Sequence, residues 1–133
     1  MLSAKFLAFV FGSWLILMVL AIVNAGIREG FYSGFMDELA AHQASTVTLM
    51  VIIVLFTFLL LRLSGMELSA EQAVVMGVLW TLTTVAFEFL AGHYVFGNSW
   101  DALLAEYDIL EGRLWLLIPA TTLIAPYLIH RLL

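Results

Sequence analysis

The sequence contains no cysteine and only two prolines, and just 11% of its 133 residues are charged. Without cysteine there is no disulfide framework, no thiol nucleophile and no cysteine-ligated zinc or iron–sulfur centre. Five Lys and Arg against ten Asp and Glu cannot build the basic stripe that nucleic-acid binding needs, so no nucleic-acid partner is expected. The shortage of charge also excludes a soluble globular domain, in which about 25% of residues are charged and about 45–50% are apolar. Apolar surface, by contrast, is abundant: 64% of the residues are hydrophobic and the mean hydropathy is +1.09. A chain of 14.8 kDa cannot hide that excess in a core of its own, which leaves an integral membrane protein with the lipid bilayer as its first partner.

Charge-free runs mark the crossings. Residues 6–27, between Lys5 and Arg28, and 43–61, between His42 and Arg62, each suffice to cross a hydrocarbon layer of ~30 Å as a helix. The run 72–87 stops at Glu88, yet apolar residues resume through Phe89, Leu90, Tyr94, Val95 and Phe96, which places Glu88 inside the membrane near one boundary. The run 114–129 holds Pro119 and Pro126, whose missing backbone donors are tolerated only where neighbours or water satisfy the freed carbonyls. It reads as a kinked span ending at His130 and Arg131. The first run is too long for the apolar region of a signal peptide and lacks a convincing cleavage site, so it is expected to stay as span 1. The expected fold class is an all-α membrane protein: one transmembrane domain over 1–133, with spans at 5–27, 43–63, 71–94 and 114–132 and interfacial segments at 33–42 and 99–112.

Four spans put both termini on one side, with Lys5, Arg62 and Arg131 against Glu67 and Glu71, a net charge of +1. The opposite side carries Arg28 and Arg113 against Glu29, Asp37, Glu38, Glu88, Asp101, Glu106, Asp108 and Glu111, a net charge of −6. Positive residues favour the cytoplasm, so the termini are expected there and the acidic loops in the periplasm of a bacterial inner membrane.

The two acidic connections resemble one another. Gly30-Phe31-Tyr32 matches Gly92-His93-Tyr94, Asp37-Glu38-Leu39-Ala40-Ala41 matches Asp101-Ala102-Leu103-Leu104-Ala105, and a helix is expected to begin near Ser33 or near Asn98-Ser99. Two tandem helical hairpins of equal orientation follow from this. In the second connection Trp100, Leu103, Leu104, Tyr107, Leu110 and Leu114 recur at helical spacing, as an amphipathic interfacial helix with Gly112 as its break. The first is less amphipathic, with Phe35, Met36 and Leu39 as its apolar contacts.

Ionisable groups at membrane depth are expensive, which makes Glu88 the first functional candidate. It shares a small, polar helix face with Gly77, Thr81, Thr84 and Gly92. Either that face packs on another helix while Glu88 pairs with Arg28 or Arg113, or Glu88 binds a ligand, cation or proton. Asn24, Arg28 and Glu29 end span 1 at similar depth and complete a polar cluster, unless Arg28 merely snorkels to headgroups. His42 and His93, with Glu29, Glu88 and Asp37, form the one conceivable metal set, although no HxxxH, HxxE or ExxH spacing supports it. The histidines can equally be satisfied by water or backbone, or respond to pH. Ser99, His93 and Asp101 lack the context of a nucleophile elbow. Trp14, Trp80, Trp100 and Trp115 invite a pigment or quinone pocket but serve equally as packing and interfacial anchors. No motif indicates a cofactor, and no paired membrane histidines suggest haem. Pro119 and Pro126 can open a polar notch lined by Thr121 or Thr122, or simply bend the helix.

The segments Asn24-Ala25-Gly26-Ile27-Arg28-Glu29, Ala41-His42-Gln43-Ala44-Ser45, Phe87-Glu88-Phe89-Leu90-Ala91-Gly92-His93 and Tyr107-Asp108-Ile109-Leu110-Glu111-Gly112-Arg113-Leu114-Trp115 resemble motifs of small four-span bacterial membrane proteins of uncharacterised function. The resemblance covers nearly the whole chain. It implies that Asn24, Arg28, Glu29, His42, Glu88, His93 and Arg113 belong together, and carries no activity with it. Three functional readings follow. The first, favoured by the small extramembrane mass, is a non-enzymatic homo-oligomer or accessory subunit of a membrane assembly, its polar cluster serving helix packing or ligand binding. The second is a transporter or channel with Glu88 as cation or proton site and Thr81, Thr84 and the Pro119 notch along the route. The third is a membrane-embedded metalloenzyme using His42, His93, Glu29 and Glu88.

Overall fold

The computed structural model describes residues 2–31, 34, 36–108, 110 and 112–133. Five helices account for the regular structure among them: α1 (Ala4–Gly30), α2 (Glu38–Leu63), α3 (Ala70–Tyr94), α4 (Trp100–Ala105) and α5 (Leu117–Leu132). Short polar side chains start four of them. Ser3, Asp37, Ser69 and Ser99 accept the orphan backbone N–H groups of Phe6, Ala40, Gln72 and Ala102, and Gln72 returns a bond to the Ser69 N–H, completing a capping box.

Three helices, α1, α2 and α3, are long and apolar enough to cross a membrane. The fourth expected crossing meets a shorter element: α5 has 16 residues, or about 24 Å against ~30 Å of hydrocarbon. Pro119 lies in its first turn, where its missing N–H is an orphan anyway, and Pro126 lies inside it. The long helices are sorted for lipid rather than water. Large apolar side chains face outward, among them Leu15, Ile16, Val19 and Ile22 on α1 and Val51, Leu55, Phe58 and Leu59 on α2. Ser13, Asn24, Ser45, Thr46, Thr57, Thr84 and Thr122 are buried. Lipid tails gain nothing from excluding leucine, so close packing and interhelical hydrogen bonds hold such helices together. The chain is a small all-helical membrane protein.

The helices form a ring in the order α1, α2, α5, α3, each packing on its two neighbours, while the rings of Phe56 and Trp80 meet across the α2–α3 diagonal with centroids 6.2 Å apart. Trp80 is fully buried in the core with Phe6, Val10, Leu17, Leu49, Ile53 and Met76, and its indole N–H donates to the Val10 carbonyl at 3.1 Å. Closest of all is the α3–α5 seam. A Cβ added at Gly77 would lie 2.3 Å from the Leu123 carbonyl oxygen, so only glycine lets these backbones meet. Beside it Thr81 and Thr122 share a hydrogen bond of 2.9 Å, and both reach the Pro119 carbonyl.

Two expectations need correction. The interfacial helix over 99–112 ends after six residues at Ala105, because Glu106 and Tyr107 turn inward to partners on α2 and α3, and the chain leaves the helical path through turns at 106–108. Leu110, expected on its apolar stripe, is 94% exposed. The two connections are also unequal: among the described residues nothing between α1 and α2 corresponds to α4, and α2 begins at Glu38. Tyr32, Ser33, Phe35, Ile109 and Glu111 lie outside the described residues.

Candidate functional site

At the end of the bundle where α1 finishes and α2 begins, the helices enclose a cavity of about 680 Å³. Its apolar wall comes from Met18, Ala21, Ile22 and Ala25 on α1, Phe87 and Ala91 on α3, and Ala102 and Leu103 on α4. Small side chains at 21, 25, 91 and 102 leave the room. The polar lining is Arg28, Glu29, Glu38, His42, Glu88, Asn98, Glu106, Tyr107 and Trp115.

Glu88 sits on the inner face of α3, about 9 Å along the helix from its end at Tyr94. Neither arginine reaches it. Both carboxylate oxygens instead accept from neutral donors: Oε2 from the Tyr107 hydroxyl and Oε1 from the Trp115 indole N–H at 3.0 Å. Burial, and then the adjacent Glu88 carboxylate, holds the Tyr107 phenol protonated far above its usual range. The Tyr107 ring stacks on Phe89 at 5.6 Å, and Trp115 leans on His42 with centroids 5.8 Å apart, so both donors are positioned by packing.

The other acids of the cavity meet cationic or imidazole partners. Glu106 Oε2 meets His42 Nε2, Glu38 takes both ends of the Arg113 guanidinium at 2.7 and 2.8 Å, and Glu29 lies 3.9 Å from Arg28. The hydrogen bond from His42, together with nearby positive charge including Arg113 and Arg28, holds the Glu106 carboxyl below its ordinary value despite partial burial. A carboxyl depressed in the folded state stabilises above its unfolded pKa, and that contribution disappears as pH falls through the lowered value. Between about pH 5 and pH 3 the wild type is therefore expected to lose more stability than Glu106→Gln, read as the difference between their unfolding midpoints in detergent. Parallel midpoint curves would remove Glu106 from this role.

The cluster expected from the sequence is divided by the fold. Arg28, Glu29, His42 and Glu88 share the cavity wall. Asn24 is buried and ties α1 to α2 through Ser45, donating to its carbonyl at 3.0 Å and its hydroxyl at 2.8 Å. Arg113 clamps the α4–α5 connection to α2 through Glu38, supported by Gln43, which donates to the carbonyl of Gly112 at 2.8 Å; Gly112 itself adopts a positive φ of 85°. His93 turns from the cavity to stack on Trp100 at 3.8 Å, with Nδ1 2.9 Å from the Asn98 carbonyl oxygen. The expected pairing of Glu88 with Arg28 or Arg113 is replaced by Tyr107 and Trp115, because the turn after α4 brings those donors over α3 first.

Among the described residues no three His, Asp or Glu side chains group as metal ligands. Ser99 caps α4 and His93 bonds backbone, so Ser99, His93 and Asp101 do not form a relay. Thr84 accepts the Trp14 indole N–H at 3.0 Å and Thr81 is tied to α5, which fills the face expected to line a route. Trp14, Trp80 and Trp100 are packing residues, and only Trp115 of the four tryptophans lines the cavity. Glu38, Glu106 and Tyr107 are not among the site residues expected from the sequence, and Trp115 is expected there only as one of four pocket or anchor tryptophans; nothing in the spacing of Tyr107 and Trp115 points at Glu88. No family model matches the chain, and no match is found among curated proteins or solved structures.

Proposed function

We propose that this membrane protein is a non-enzymatic binding subunit: the cavity at its acidic end takes up an apolar small molecule with Glu88 as polar anchor, within a homo-oligomer or a larger membrane assembly. The observation that carries the reading is the cavity itself, about 680 Å³ of mostly apolar wall converging on one carboxylate held by two side-chain donors. Small-molecule sites have this size, about 300–1,000 Å³, and this mixture of apolar wall with a few placed polar groups. In this reading α5 and the residues before it complete a fourth span. The acidic end faces the periplasm of a bacterial inner membrane and the termini face the cytoplasm, following the positive-residue bias. A through-route has less support, since Thr81 and Thr84 are engaged and the cavity reaches from the acidic end only as far as Met18, at the middle of α1.

Native mass spectrometry after gentle extraction tests the proposal. The expected spectrum shows more than one copy or a companion subunit, with a small-molecule adduct that is lost in Ala25→Phe, a variant that fills the cavity. A bare monomer in the wild type overturns both parts. An adduct retained in Ala25→Phe moves the binding site elsewhere.

A further inference from the structure

We infer that the ligand of this cavity is a lipophilic cation that enters sideways from the bilayer, between α1 and α3, and supplies the positive charge that Glu88 lacks. The inference rests on the binding reading above and names the ligand's chemical class. Of the four glutamates in the lining, three have a cationic or imidazole partner: Glu29 has Arg28, Glu38 has Arg113 and Glu106 has His42. Glu88 is the exception, since its hydrogen-bond partners are a neutral phenol and a neutral indole, and no ion pair among the described residues includes it. A carboxylate at membrane depth is costly unless a countercharge or a full set of hydrogen bonds accompanies it. Two donors occupy one lone pair on each oxygen and leave the others open, enough for an ammonium or phosphonium to approach.

The way in follows from exposure. Ile22 is 59% exposed and Phe87 37% exposed, and both line the cavity, so part of its mouth lies at helix faces that meet lipid, beside the part lined by Met36, Phe96 and Asn98 in the connections. The apolar wall suits the body of an amphiphile and the acidic lining repels anions, which makes charge the discriminating property.

The test uses the full chain in nanodiscs and two probes of one shape and opposite charge, tetraphenylphosphonium and tetraphenylborate. Equilibrium binding to each is measured relative to Ala25→Phe, with Ala91→Leu as a second filling variant, so that partition into the bilayer cancels. Tetraphenylphosphonium is expected to bind at least about tenfold more tightly than tetraphenylborate, and Glu88→Gln is expected to reduce that preference to within about twofold. Equal binding of the two probes, lost on filling the cavity, overturns the cation inference and leaves the pocket standing. Binding of neither probe overturns the inference and removes support from the binding reading as well. Selectivity unchanged in Glu88→Gln would move the anchor to another acid and overturn the role given to Glu88. The wild-type comparison of the two probes stands without any variant at Glu88.

Discussion

Replacing Gly77 with leucine is expected to force α5 away from α3 and cost about 3 kcal/mol of stability, among the larger effects available to one added side chain. The cause is geometric. The first atom of any side chain at position 77 would stand 2.3 Å from the Leu123 carbonyl oxygen and 3.1 Å from its carbon, and backbone cannot rotate aside as a side-chain tip can. Separation of the helices would also break the Thr81–Thr122 bond and the contacts of both hydroxyls with the Pro119 carbonyl. Gly26→Ala is the control: a Cβ there meets nothing within 4 Å, and alanine favours the helix by about 0.5–1 kcal/mol. Unfolding in rising dodecyl sulfate, followed by circular dichroism, separates the two cases. Equal midpoints for Gly77→Leu and wild type would mean that α3 and α5 do not pack this closely.

Removing Glu88 has the second large expected effect. Glu88→Ala strips the acceptor from the Tyr107 hydroxyl and the Trp115 indole N–H together. Each half-buried donor left without a partner costs about 1–3 kcal/mol, so the variant is expected to lose about 2–6 kcal/mol and to loosen the turn after α4. Glu88→Gln keeps a carbonyl acceptor and is expected to lose less than half as much. The sharper readout is a double-mutant cycle with Tyr107→Phe: once Glu88 is alanine, removing the Tyr107 hydroxyl should recover part of the loss, with a coupling of about 1–2 kcal/mol. Additive losses would show that the two side chains do not meet in solution.

Both predictions concern residues whose importance was visible in the sequence but whose partners were not. Gly77, Thr81, Thr84, Glu88 and Gly92 stand on one face of α3 by spacing alone. The fold hands them to six different neighbours: Leu123 for Gly77, Thr122 for Thr81, Trp14 for Thr84, Tyr107 and Trp115 for Glu88, and Leu103 for Gly92. The same division runs through the polar cluster. Asn24, His93 and Arg113 look equivalent to Arg28, Glu29 and Glu88 as polar residues near one boundary, yet the first three make structural bonds and the others face the cavity. The interfacial helix failed for a related reason. Trp100, Leu103, Leu104, Tyr107 and Leu110 have helical spacing, but the bonds made inward by Glu106 and Tyr107 override a local pattern of only about three turns.

Composition and run length by themselves determined that this chain lives in a membrane, that its regular structure is helical, where three helices cross and which end is acidic. These follow from terms that add residue by residue, namely transfer of apolar side chains to lipid and the need to satisfy each backbone group within its own segment. Tertiary structure alone decided that Glu88 faces a phenol and an indole rather than a guanidinium, that Glu38 takes Arg113 from 75 residues away, and that a cavity lined by α1, α2, α3 and α4 forms at the acidic end. A hydrogen bond or a void depends on which atoms come within a few ångströms once the helices are packed, and that distance is set by the rotation and tilt of each helix against its neighbours, about which spacing along the chain says nothing.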